Sequence, residues 1–188
     1  MIIALMIGRA GSKGFPGKNT KLVLGKPLCE YPLIAAKKSK FVDKIFVSTD
    51  CPKISKISKK YECILLNRPK ELLTNEALGE DVYKYAYLQI KDILKKENKK
   101  IDLIVLLMAN AATITANLID QGIEKLKRDE SFDSAVTTSI YNMYSPLRAR
   151  KLENDGSLKP FVPFESFGDP KKLNCDRDSQ GDVYFADM

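Results

Sequence analysis

Short apolar runs alternate along this chain with longer stretches in which apolar residues recur every three or four positions. The runs at 2–7 (IIALMI), 44–50 (KIFVSTD), 62–66 (ECILL), 101–108 (IDLIVLLM) and 134–139 (SAVTTS) have the length and aliphatic or β-branched character of strands. Residues 28–40 carry Leu28, Tyr31, Ile34 and Ala35 at helical spacing and end in Lys37, Lys38 and Lys40, where cations suit a helix C-terminus. Pro52 opens a second helix running to about Lys60, and residues 77–95 set Val82, Tyr85, Ala86, Leu88, Ile93 and Leu94 among charges as a long amphipathic helix. Thr115 is a capping residue for a helix to about Lys127. Five strands alternating with helices predict a three-layer α/β/α fold with a mostly parallel sheet, and the run 101–108, apolar enough for burial on both faces, is expected at its centre.

The pattern changes after residue 141. Pro146, Pro160, Pro163 and Pro170 with Gly156 and Gly168 break any helix, and residues 147–152 followed by Asn154-Asp155-Gly156 read as one arm and the turn of a hairpin. Residues 142–170 are therefore an excursion from the main sheet, and 182–188 read as a closing strand. Because an apolar strand ends the chain, a C-terminally incomplete domain is expected. At 188 residues, one domain over 1–188 is the natural size.

The first strand empties into GRAGSKGFPGKN at residues 8–19. Glycines at 8, 11, 14 and 17 let backbone N–H groups turn inward, and Arg9, Lys13 and Lys18 add positive charge, a combination that suits a polyphosphate and also describes a solvated loop. Neither of the two commonest glycine-rich phosphate fingerprints is matched.

Composition narrows the chemistry. The chain contains no histidine, which removes Ser-His-Asp and Cys-His nucleophilic catalysis, His-ligated zinc and His general bases. A net charge of +7 favours an anionic partner. The lysines are spread over helix surfaces rather than gathered in a stripe, so nucleic acid is not expected as the partner. Cys29, Cys51, Cys63 and Cys175 show no CxxC spacing and read as reduced thiols, no apolar run approaches the ~18 residues of a membrane span, and a cytoplasmic protein without a membrane partner is expected.

Residues 8–19 resemble the N-terminal signature of the acylneuraminate cytidylyltransferase (CMP-sugar acid synthetase) family, roughly A-R-x-x-S-K-x-x-P-x-K-N after strand one. Arg9, Ser12, Lys13, Pro16, Lys18 and Asn19 stand at the family spacing, and Gly8 replaces the usual alanine, a change expected to matter little. Residues 47–50 are similar to the family's VSTD and 68–72 to its RPxEL, so the resemblance is firm over about residues 1–80 and holds in outline beyond. It implies a Rossmann-like nucleotidyltransferase (GT-A-like) fold, CTP as substrate, Mg²⁺ as cofactor and a homodimer contacted through the 142–170 excursion. It further implies that Arg9, Lys13 and Lys18 neutralise the triphosphate catalytically, with Gly8, Ala10, Gly11, Ser12, Asn19, Arg68 and Asn75 around the nucleotide.

Asp50 is a weak candidate for metal or ribose and reads nearly as well as a helix N-cap. Glu80 and Asp81 read as solvated acids at a helix start. Arg148, after a proline-leucine pair, and Gln180 and Tyr184, flanking Gly181, are the resemblance's candidates for an anionic sugar. The chain departs from the family after the fourth strand, where the family's LLQPTSPLR glutamine is Met108, and Asn110 is the substitute candidate. A late aspartate pair that the family uses for metal has no clear match, so the metal ligands stay unassigned.

The expected reaction is transfer of CMP from CTP to an acidic nonulosonate-type sugar with release of pyrophosphate. Alternatives are transfer to another sugar or sugar phosphate or from another NTP, a non-catalytic nucleotide-binding homologue, and an RNA-binding domain.

Overall fold

In the computed structural model, β1 (Ile2–Gly8) pairs in parallel with β4 (Lys44–Thr49) on one side and β6 (Leu103–Met108) on the other, and β5 (Ile64–Leu66) adds to β4. The order β5-β4-β1-β6 makes a four-stranded parallel sheet. The structure describes residues 1–11, 15–74, 79–141, 146–169 and 182–186. Two compact units divide the chain at Ala135 and Val136.

Side chains alternate across a strand, so β1 serves two cores. Ile2, Ala4 and Met6 face Cys29 and Leu33, Ile54, and Ile119 and Ile123, which belong respectively to the start of α1 (Glu30–Lys38), to α2 (Pro52–Lys60) and to α4 (Ala116–Arg128). Ile3 and Leu5, with Phe46 and Leu66, face the other way onto α3 (Gly79–Lys96), which presents Ala86, Ile90 and Leu94 at four-residue spacing. The three layers follow directly from a period of two meeting a period near 3.6. Thr115 caps α4 as expected, its Oγ1 accepting from Leu118 N.

Two expectations are corrected. The run 101–108 is an edge strand of the four-stranded sheet, not its centre, and Leu106 is 55% exposed. An apolar run reports burial tendency but not which neighbours pair, and β1, the first strand, takes the interior place instead. The run 134–139 does not extend the parallel sheet. The strand there is β7 (Thr138–Ile140), which pairs antiparallel with β10 (Tyr184–Ala186) in a separate two-stranded sheet of the second unit. That unit also holds the expected hairpin, β8 (Arg150–Leu152) and β9 (Leu158–Pro160), turning at Gly156 with φ +81°. No helix among the described residues is long and apolar enough to cross a membrane.

After the glycine-rich loop a small hairpin, β2 (Leu22–Val23) and β3 (Lys26–Pro27), is tethered by Tyr31, whose hydroxyl donates to Val23 O. Its two-residue turn puts Leu24 at φ +47° and Gly25 at φ +80°, with Leu24 91% exposed. A γ-branched side chain gains nothing there, while asparagine adopts that conformation readily. Leu24→Asn is expected to raise stability by about 1 kcal/mol in urea titration.

Glu30 opens α1 with its side chain buried, accepting from Lys60 Nζ at 2.7 Å and from the Tyr61 hydroxyl. The Lys60 bond, then the Tyr61 bond, hold its carboxyl below the ordinary 4.5. A depressed folded-state pKa stabilises above the unfolded value and is lost as pH falls through the folded one. The stability difference between the wild type and Glu30→Gln is therefore expected to be full above about pH 4.5 and to shrink on acidification below it, read from urea midpoints across pH.

Candidate functional site

The register of the sheet decides where chemistry can occur. Gly8 pairs with Thr49 and Ile7 with Met108, so the segments after β1, β4 and β6 leave the sheet at one level, at the carboxyl ends of parallel strands. Asn67-Arg68 follows β5 at the same end.

At this level the loop is fixed by specific bonds. Ala10 N donates to Asp50 Oδ1 at 2.9 Å, which ties the loop after β1 to the end of β4. Asp50 is therefore a positioning group, and the N-cap role belongs to Cys51, whose N–H bonds Thr49 Oγ1 at 3.0 Å. Arg9 Nη1 donates to Thr74 O at 3.0 Å, and Asn19 Nδ2 makes a long 3.5 Å bond to Arg9 O. Gly17, at φ +70°, turns the chain into a 3-10 turn at Lys18–Thr20 that delivers Lys18 and Asn19. Arg9, Ala10, Gly17, Lys18, Asn19 and Thr20, with Cys51 and Ile54 from α2, line an open recess of about 180 Å³.

Two electrostatic features mark this recess. Asn19 is only 7% exposed, and its Oδ1 has no hydrogen-bond partner, so a buried acceptor awaits a donor. Arg68, its Nε held by Leu72 O at 3.1 Å, is pulled below its ordinary pKa by burial, with Asp50 opposing that shift and Arg9 adding to it. Arg68 thus lies within electrostatic reach of both the Asp50 carboxylate and the Arg9 guanidinium.

Gly8 is tighter than its sequence suggests. A Cβ there would stand 2.8 Å from Ala109 Cβ and 3.1 Å from Ile54 Cδ1, so alanine does not fit without movement, contrary to the expectation that the exchange matters little. The cause is β6, whose continuation runs against β1 through the bond from Ala109 N to Ile7 O at 3.2 Å.

The structure brings together Arg9, Ala10, Lys18 and Asn19, with Gly8 packed beneath them and Arg68 coupled to Arg9 through charge. Gly11 is exposed. Asn110 is exposed beyond β6 and does not line the recess, and Tyr184 lies 60% exposed in the second unit. Ser12, Lys13, Asn75, Gln180 and the Arg148 side chain lie outside the described residues. Glu80 and Asp81 are exposed in the first turn of α3. Sequence reasoning missed the Thr74 carbonyl that holds Arg9, and Cys51 as a lining residue. The signal for Cys51 was its place at a strand-to-helix junction on the ligand end of the sheet. Among the described residues no group of three or more Cys, Asp or Glu side chains is placed to hold a metal ion.

A family profile described as Cytidylyltransferase matches residues 3–160. The chain belongs to the cytidylyltransferase family. The match includes every residue of the recess. Among its relatives, the pseudaminic acid cytidylyltransferase and UDP-2,4-diacetamido-2,4,6-trideoxy-beta-L-altropyranose hydrolase of Helicobacter pylori is 30% identical over 153 residues, covering 81% of this chain and 28% of that protein. The CMP-N,N'-diacetyllegionaminic acid synthase of Legionella pneumophila is 29% identical over 191 residues, 98% of this chain and 77% of that protein. The chain thus spans little more than a quarter of the length of the first. In structure it is similar to a CMP:2-keto-3-deoxy-manno-octonic acid synthetase complexed with CTP, with TM-score 0.57 at 16% identity over 74% of this chain and 53% of the other. The expected Rossmann-like nucleotidyltransferase fold is borne out by that likeness, and the resemblance seen at residues 8–19 by the family match.

Proposed function

We propose that this cytidylyltransferase moves the CMP group of CTP onto an acidic nonulosonate-type sugar. The sugar's anomeric oxygen forms a bond to the α-phosphorus, the bond from that phosphorus to the pyrophosphate oxygen breaks, and the hydroxyl proton is released. The observation that supports it best is the recess itself, where Arg9, Lys18 and Asn19 come together at the carboxyl end of the parallel sheet. The acceptor class comes from the relatives, which are named for pseudaminic and N,N'-diacetyllegionaminic acids.

Each described residue has a distinct task. Arg9 and Lys18 offset charge that builds on the departing pyrophosphate, a contribution of position and field rather than of bond-making. Ala10 N is already engaged by Asp50, so that amide shapes the loop instead of touching phosphate. The Arg9 side chain is held by the Thr74 carbonyl, and Asp50 holds the loop backbone through Ala10 N. Mg²⁺ pairs readily with triphosphate oxygens, and among the described residues no group of three or more Cys, Asp or Glu side chains is placed to hold it. Asp50, next to the lining residue Cys51, has one of its oxygens spent on Ala10 N. The ion is proposed as a partner of the nucleotide's own oxygens, and no step here depends on it.

The test is a screen for pyrophosphate release with the four NTPs against acidic nonulosonates, neutral sugars and sugar phosphates. Release with CTP and a nonulosonate is expected, and Lys18→Ala should cut it ten-fold or more. Unchanged release in that variant would remove Lys18 from the site. A second reading, transfer to a sugar phosphate, is favoured by Met108, an exposed thioether where the family's amide is expected. The same screen separates the two.

A homodimer is also proposed. The β8–β9 hairpin carries Leu152, Leu158 and Phe161, each more than 60% exposed, on a surface rich enough in apolar groups to want a partner. Light scattering on the purified protein reads the mass directly.

A further inference from the structure

We propose that Gln89 is a positioning residue for the reaction: its amide holds one end of the segment 67–74, and the other end of that segment holds Arg9. The inference rests on the reading of the Arg9 recess as the CTP site.

The segment needs a holder because of where it starts. β5 is an edge strand, and its ladder to β4 ends at the pair Ser48 and Leu66, so the Asn67 carbonyl has left the sheet. Gln89 supplies a donor in place of the ladder. Its Nε2 donates to Asn67 O at 2.8 Å, across 22 residues of sequence. Gln89 is placed in turn by its neighbour in α3, Ile90, which is fully buried with Ala86 and Leu94 against Phe46 and Leu66 of the sheet. The amide therefore stands on a packed helix and takes no part in lining the recess.

Inside the segment the bonding closes on itself. Pro69 sets φ at −68°, Leu72 N donates to Pro69 O at 3.1 Å, and Arg68 Nε donates to Leu72 O at 3.1 Å. Two residues further on, Thr74 O accepts from Arg9 Nη1 at 3.0 Å. The bonds from Gln89 to Asn67, from Arg68 to Leu72 and from Arg9 to Thr74 thus join α3 to the glycine-rich loop through one short, internally tied stretch of chain. A double-variant cycle is the measurement that shows whether such a run carries coupling.

Stability and position separate at this residue. Asn67 is exposed, so water satisfies its carbonyl when the amide is removed, and the fold loses little. What is lost is the fixed direction in which the segment leaves β5, and with it the place of the Thr74 carbonyl. Glutamine, methionine, lysine and alanine all suit a helix, so exchange at position 89 leaves α3 intact.

The experiment measures pyrophosphate release from CTP with an acidic nonulosonate for the wild type, Gln89→Met, Gln89→Lys, Arg9→Ala and the double variant of Gln89→Met with Arg9→Ala, each checked for folding by circular dichroism. Gln89→Met, which keeps the chain length and drops the donor, is expected to lower kcat/KM for CTP about five-fold, the worth of one neutral hydrogen bond. Gln89→Lys returns a donor of similar reach and is expected to recover most of that loss. On the Arg9→Ala background, where Thr74 O has no guanidinium to hold, Gln89→Met is expected to cost less than about two-fold. Gln89→Ala provides the same comparison if Gln89→Met does not fold. Wild-type kcat/KM in folded Gln89→Met, an equal loss in Gln89→Lys, or an undiminished loss on the Arg9→Ala background overturns the proposal and leaves the nucleotide reading intact. Release that is absent from the wild type, or unaffected by Arg9→Ala, overturns the nucleotide reading and the proposal together.

Discussion

Arg9→Ala is expected to lower kcat/KM for CTP about 100-fold, the largest effect of any single change at the site. The side chain does two things at once. Its charge stands in the recess beside Lys18, and its Nη1 bond to Thr74 O straps the loop after β1 to the segment after β5. Loss of a charge-assisted contact to phosphate is worth roughly 1.5–3 kcal/mol, and about 2.7 kcal/mol is two decades in rate. Arg9→Lys separates the two roles. It keeps the charge and gives up the planar fork, so an intermediate loss concentrated in KM is expected if charge dominates. Steady-state pyrophosphate release for both variants decides. A loss under three-fold in Arg9→Ala would mean that the triphosphate lies elsewhere.

Gly8→Ala is the second large change, and its target is stability. The added Cβ would meet Ala109 Cβ at 2.8 Å, below any ordinary carbon contact, in a position bounded on its other side by Ile54 at 3.1 Å. Overpacking of this kind costs typically 1–3 kcal/mol because backbone or neighbour must shift. The neighbour is itself a Cβ fixed to a backbone that bonds β1 through Ala109 N, so little give is available. Chemical denaturation should show the loss, and Ala109→Gly in the same chain should recover part of it, since the clash then has no partner atom. Additive losses in the double variant would show that the two sites do not touch.

These two residues also show what could be read without coordinates. Arg9 was legible because six positions of a known signature coincide within one loop and the chemistry of that loop suits phosphate without it. Gly8 was misjudged because its constraint comes from Ala109, about a hundred residues away, and no local pattern records such a contact. A shorter separation, 40 residues, hid Asp50: a carboxylate after a strand and before a proline suits a cap or a ligand, and the bond to Ala10 N shows it anchoring the loop. The helices were found because each buries a regular stripe, as α3 does with Val82, Ala86, Ile90 and Leu94. The place of β6 was not found, because hydrophobicity counts faces and not neighbours, and an eight-residue aliphatic run occurs here at an edge with Leu106 exposed. The run 134–139 failed for a related reason, its Val-Thr-Thr character being compatible with parallel and antiparallel pairing alike.

β1 is made first and finished late. Ile3 takes Lys44 as one neighbour and Ile104 as the other, partners about forty and about a hundred residues downstream. During synthesis the strand that carries the glycine-rich loop is thus without its second flank until the chain has passed Met108, and Gly8 meets Ala109 only then. The part of the site most recognisable in the sequence is among the last to acquire its shape.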